Sequence, residues 1–133
     1  MKPVFADTFF YLARVNRADP AHQRAQRWIS QHRVLQVTTA WVITELGDAL
    51  RKPEWRGSFT QLNINLQLAA NVTIIPPSVE LLEKGIAFFN RHADKEWPLT
   101  DCISFVVMQD LGLTDALTAD HHFEQAGFKA LLK

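Results

Sequence analysis

At 133 residues, with 47% hydrophobic and 21% charged side chains, the chain has the size and composition of one compact globular domain spanning residues 1–133, not of a disordered or fibrous polypeptide. Its 14 basic and 14 acidic residues cancel, so the electrostatic pull of a strongly basic nucleic-acid binder is excluded, and affinity for a polyanion has to come from local patches or bound metal. Cys102 is the only cysteine, no apolar run is long enough for a membrane span, and Pro3 and Asp7 interrupt any apolar leader, so a cytoplasmic protein without internal disulfides is expected.

In chain order, Val4 to Ala6 reads as a first strand ending at Asp7, and Thr8 to Val15 as a short helix. Pro20 to Gln31 follows as a second helix, with Asp19 placed to cap it and Pro20 tolerated in the first turn. Val34 to Thr38 is a β-branched run that leads into a helix carrying Val42, Ile43, Leu46, Ala49 and Leu50 at helical spacing. Between Phe59 and Ala70 the apolar residues fit both alternation and helical spacing, and length favours the helix. Val72 to Ile75 is a third strand stopped by Pro76 and Pro77, and Val79 to Arg91 an amphipathic helix. From Asp101 to Met108 the chain is apolar nearly all round, which predicts a buried helix ending before Gly112. Ala116 to Thr118 is a short strand, His121 to Ala126 a short helix closed by Gly127, and Phe128 to Leu132 a last strand.

This alternation predicts an α/β fold: a mostly parallel sheet with right-handed crossovers and helices on both faces. Ligand sites in such sheets lie beyond the carboxyl ends of the strands, where Asp7 and Asp120 are placed. Glu45 lies in the helix after the second strand, and Asp101 opens the buried helix. Carboxylates crowded together raise one another's pKa unless a cation neutralises them, and a hard divalent ion that prefers oxygen ligands answers that need. Taken singly, Asp7, Asp101 and Asp120 equally suit helix N-termini, where an acid satisfies free N–H groups and the dipole. Glu45 has no lysine or arginine three or four residues away, and Asp48 adds a like charge.

The start Val4-Phe-Ala-Asp7-Thr8, the stretch Thr44-Glu45-Leu-Gly-Asp-Ala-Leu50, the helix opening Leu99-Thr100-Asp101 and the ending Ala116-Leu-Thr-Ala-Asp120-His-His-Phe123-Glu-Gln-Ala-Gly127-Phe128 together resemble the PIN-domain family, and within it the VapC-type toxins of toxin-antitoxin pairs. The ordered set runs over nearly the whole chain. The resemblance implies a Rossmann-like α/β/α sandwich of three layers with a short-stranded, mostly parallel sheet. It also implies an Mg²⁺- or Mn²⁺-dependent endoribonuclease that forms a homodimer and is inhibited by a small antitoxin protein. Asp7, Glu45 and Asp101 fall on the family's three core acidic positions, Asp120 on the fourth, more variable one, and Thr8 and Thr118 where hydroxyls stand beside the site.

The chemistry so implied is hydrolysis of RNA phosphodiester bonds, with Asp7 and Asp101 as direct metal ligands. Glu45 and Asp120 would ligate through water, complete a second metal site, or take the proton of the attacking water. Arg51, Lys52 and Arg56 are candidate RNA contacts beside the Glu45 helix, with Arg14, Arg17, Arg24 and Arg27 as further basic patches. Trp55 and Trp97 are open to either base stacking or packing, and His121 and His122 to phosphate contact or plain solvent exposure. Alternatives are a PIN nuclease acting on DNA or on RNA processing intermediates, and a catalytically silent PIN-fold interaction protein. A phosphatase of the haloacid dehalogenase type needs a second Asp two residues after Asp7, where this chain has Phe9.

Overall fold

The computed structural model describes residues 2–133. In chain order the elements are β1 (Val4–Ala6), α1 (Thr8–Val15), α2 (His22–Gln31), β2 (Gln36–Thr39), α3 (Ala40–Ala49), a 3₁₀ turn (Pro53–Trp55), α4 (Arg56–Leu68), β3 (Val72–Ile75), α5 (Val79–Arg91), α6 (Leu99–Leu111), β4 (Asp115–Leu117), α7 (His121–Gln125) and β5 (Lys129–Ala130). The five strands form one sheet in the order β3-β2-β1-β4-β5, and every neighbouring pair is parallel. With right-handed crossovers, the leftward run β1 to β3 puts α1–α4 on one face and the return to β4 and β5 puts α5–α7 on the other. The strand order reverses between β1, paired Phe5 to Val37 on one side, and β4, paired Phe5 to Ala116 on the other. In sheets of this kind, ligand sites lie at such a reversal, here beyond the carboxyl ends of β1 and β4.

Parallel strands buried on both faces need apolar residues at successive positions, and Val4, Phe5, Ala6, Ala116 and Leu117 are all buried. On the α5–α7 side the core is aromatic. Phe105 of α6 meets Trp97 and Phe123 edge-on at 5.2 and 4.9 Å between centroids, and Phe123 in turn meets Phe5 of β1 at 6.2 Å. Residues Asp101 to Met108 of α6 are all buried, as the all-round apolar pattern predicts. The helix stops at Gly112, whose φ of 67° is left-handed; Leu113 N–H then donates to Met108 O at 2.8 Å. At the crossing of α5 with α6, a Cβ on Gly85 would overlap Ile103 Cγ1, so glycine permits the close approach.

The predicted β1, α1, β3 and α5 match the observed bounds, and the ambiguous stretch after Phe59 is helix α4, begun three residues earlier at Arg56. The second helix starts later than predicted. The Asp19 carboxylate accepts from Ala21 N–H at 2.8 Å and His22 N–H donates to Asp19 O at 2.9 Å, so Pro20 sits in a turn and α2 begins at His22. Strand β2 is shifted to Gln36–Thr39, and β4 ends at Leu117 because Thr118 N–H turns back onto Ala116 O at 3.0 Å. The last strand is only Lys129–Ala130: Phe128 N–H is used to close α7 on Phe123 O, although Leu131 and Leu132 continue to bond Ala116 O and Thr118 O. No helix among the described residues is long and apolar enough to cross a membrane.

Candidate active site

Asp7 follows β1 directly and has the extended backbone of a helix N-cap, φ −93° and ψ 165°, yet its side chain makes no capping bond. The carboxylate is only 4% exposed and instead accepts from Thr118 Oγ1 at 3.2 Å. The tight turn after β4 explains this reach: by folding Thr118 back toward Ala116 it brings the hydroxyl to the end of β1. The same Oγ1 accepts from Asp120 N–H at 3.0 Å, so one threonine ties the ends of β1 and β4 together.

Glu45 comes from α3, which begins immediately after β2 and is capped by Thr39, whose Oγ1 accepts from Val42 N–H at 3.2 Å. Thr8 Oγ1 donates to Glu45 Oε1 at 2.6 Å, which fixes the half-buried glutamate beside Asp7. Asp101 lies in the first turn of α6 and is 5% exposed. Asp120 does cap a helix: its Oδ1 accepts from His122 N–H at 2.9 Å at the start of α7. The capping role open to three acids from sequence is thus taken by Asp120 and left unused by the side chain of Asp7.

These carboxylates are electrostatically coupled. Burial, then the Asp101 charge, then Glu45 push Asp7 from 3.8 up to about 8, against the opposing Thr8 N–H and Thr118 hydroxyl. Asp101 is pushed up to about 7 by burial first, then by Asp120 and Glu45. Among the described residues no lysine or arginine forms an ion pair with Asp7, Glu45, Asp101 or Asp120. Four carboxylates, two of them buried with raised pKa values, suit a hard divalent ion that prefers oxygen ligands, and the ligand atoms of Asp120, His121 and His122 also lie within 4.8 Å of one another. Asp7 and Asp101 are the buried pair of the four, and Glu45 and Asp120 are partly exposed.

His122 is a site residue that sequence reasoning left undecided. Its Nδ1 lies 3.2 Å from Asp101 Oδ2 and 3.4 Å from Asp120 Oδ1, while the neighbouring His121 is exposed and 3.5 Å from Asp120 Oδ1. The only sequence signal was its position two residues after a capping Asp. Trp97, by contrast, is buried and donates from Nε1 to Gln125 Oε1 at 2.9 Å, so it is packing and not a base platform. Cys102, buried beside Asp101, has its thiol pushed up to about 11 by burial first and the Asp101 charge second.

The predicted basic patches fall into three groups, of which Arg24 and Arg27 are exposed on α2. Arg51, Lys52 and Arg56 are exposed at the junction of α3 and α4. There Arg51 Nη1 donates to Asp48 O at 2.8 Å, Arg56 Nε to Arg51 O at 2.7 Å, and Lys52 Nζ lies 4.6 Å from the Trp55 ring centre. Arg14 and Arg17 line a groove of about 750 Å³ with Gln36 and Val72, at the opposite end of the sheet from the carboxylates.

Residues 4–129 match the PIN-domain family model. The chain is 31% identical over 127 residues to the 23S rRNA-specific endonuclease VapC20 of Mycobacterium tuberculosis, covering 94% of this chain and 95% of that one. The crystal structure of VapC20, described as a sarcin-ricin loop cleaving toxin, superposes with a TM-score of 0.85 and 26% identity over 94% of this chain and 95% of that one. The structure of FitAcB from Neisseria gonorrhoeae shares the fold, with a TM-score of 0.64 and 15% identity over 96% of this chain and 94% of that one. The five-stranded parallel sheet, the strand-end acids and these likenesses agree: the chain belongs to the PIN-domain family.

Proposed function

We propose that this protein is a single-domain, Mg²⁺- or Mn²⁺-dependent endoribonuclease acting as the toxin of a toxin-antitoxin pair, with Asp7, Glu45, Asp101 and Asp120 as its metal-binding and catalytic residues. The observation that carries the reading is the burial of Asp7 and Asp101 among other carboxylates, Asp7 in the field of Asp101 and Glu45 and Asp101 in that of Asp120 and Glu45, with no lysine or arginine paired to either among the described residues; ionising them there is costly unless a cation is held. When bound, a divalent ion supplies Lewis-acid polarisation of the phosphate and a lowered pKa for water. Thr118 holds Oδ2 of Asp7 and Thr8 holds Oε1 of Glu45. Glu45 Oε2, which Thr8 does not engage, is the acceptor for the proton of the attacking water.

The similarity to VapC20 supports large-subunit ribosomal RNA as the substrate class, approached with Arg51, Lys52 and Arg56 on its phosphates. A small antitoxin and a second copy of the chain are the expected protein partners; exposed Val79, Ile86 and Phe89 along α5 suit self-association. Location in the cytoplasm belongs to the same reading. In the deciding experiment, Asp7→Asn and Asp101→Asn variants that still fold should cleave ribosomal RNA about a thousandfold more slowly than the parent in Mn²⁺. Parental rates in both variants would sink the assignment. Growth arrest on expression, relieved by a small neighbouring gene product, separates a toxin from a processing nuclease.

A further inference from the structure

We infer that His122 is a positioning residue: its imidazole Nδ1–H clamps one oxygen of Asp101 against Asp120 and so presents Asp101's other oxygen to the metal. The inference rests on the carboxylate site proposed above. Its geometry is independent of any bound ion. Nδ1 lies 3.2 Å from Asp101 Oδ2 and 3.4 Å from Asp120 Oδ1, and the side chain is 18% exposed. Both neighbours are carboxylate oxygens, which only accept once ionised, so in the metal-loaded protein the hydrogen has to sit on Nδ1. The ring is not free to wander. The backbone N–H of His122 is held by Asp120 Oδ1 at 2.9 Å, and the next residue, Phe123, is fully buried against Phe105 and Phe5.

The contact closes a chain of hydrogen bonds through the site. Thr118 Oγ1 donates to Asp7 Oδ2 and accepts from Asp120 N–H; Asp120 Oδ1 accepts from His122 N–H; His122 Nδ1 reaches Asp101 Oδ2. Asp101 belongs to α6, whereas Thr118, Asp120 and His122 follow β4. Without His122, no hydrogen bond among the described residues links the Asp101 carboxylate to the rest of the site. Outer partners that orient a ligand in this way are worth about 10- to 100-fold in metal affinity.

Mn²⁺ binding to the purified full chain, measured by titration calorimetry, tests the role apart from catalysis. His122→Ala should weaken Mn²⁺ binding by about 10- to 100-fold while leaving the metal-free melting temperature near the parent's. His122→Asn places an amide N–H close to where Nδ1–H stands and should recover most of the affinity. Unchanged affinity in His122→Ala, or equal losses in the Ala and Asn variants, would overturn the inference. Asp101→Asn is the parallel arm: if it abolishes Mn²⁺ binding while His122→Ala leaves the affinity at the parent's value, only the role of His122 falls. If the parent itself binds no Mn²⁺, the metal site fails and the clamp with it.

Discussion

Thr8 and Glu45 are joined by the shortest side-chain hydrogen bond at the site, Oγ1 to Oε1 at 2.6 Å, which links the first residue of α1 to the middle of α3. Thr8→Val keeps the β-branched shape and removes the donor. RNA cleavage should fall by about 10-fold or more with little change in melting temperature, and Thr8→Ser should restore it. A Val variant cleaving as fast as the parent would show that Glu45 needs no such hold.

Stability should depend on pH in the direction set by Asp7 and Asp101. Their folded pKa values are raised from 3.8 to about 8 and about 7. Between roughly pH 4 and pH 8 the folded, metal-free protein therefore holds protons that the unfolded chain has released, and stability falls as pH rises. Melting in EDTA should occur at a lower temperature at pH 8 than at pH 5, and Mn²⁺ should raise it more at pH 8. Asp7→Asn should flatten the metal-free profile. A melting temperature that climbs from pH 5 to pH 8 without metal would contradict the buried acids.

Asp120 has two separable roles, helix cap and anion. Asparagine caps as well as aspartate, so Asp120→Asn should keep the melting temperature while slowing cleavage. Asp120→Ala should lose the bond from His122 N–H and about 1 kcal/mol of stability as well. Urea denaturation of both variants, alongside RNA cleavage, reads the two effects apart.

Gly85 is required by packing. A methyl group there meets Ile103 of α6 on three atoms, so Gly85→Ala should cost about 1–3 kcal/mol in denaturant titration. Adding Ile103→Val, which trims the chain that Gly85 faces, should return part of the loss. Full parental stability in Gly85→Ala would mean that the helices can part at no cost.

Lys52 contacts the Trp55 ring and, unlike Arg51 and Arg56, donates to no backbone carbonyl among the described residues. Its substitution by Gln should weaken RNA binding across sequences and reduce the salt slope of log affinity by about one. An unchanged slope would remove this edge of α3 and α4 from the RNA path.

Much of this arrangement was legible in the residues. Strands such as Val72–Ile75 are bounded by prolines, and α6 is apolar all round, so their type and limits follow from local chemistry. Where a boundary moved, a side chain or turn competed with the regular element: Asp19 with the start of α2, and the Thr118 turn with the end of β4. At the site, no lysine or arginine among the described residues pairs with Asp7 or Asp101, which spacing along the chain does not report. The clamp of His122 on Asp101 was hidden for the same reason, because it joins residues 21 apart through the packing of α7 on α6. The basic cluster was visible, but not that two of its arginines are committed to backbone carbonyls.

The bond from Thr118 to Asp7 spans 111 residues. During synthesis, Asp7 leaves the ribosome long before the threonine that orients it, and β1 waits at the centre of the sheet for β4 to arrive on its open side. On the proposed assignment of the four carboxylates, chains that stop short of the turn after β4 lack Thr118 and Asp120 and should cleave no RNA, so activity is expected to begin only once translation has passed that turn.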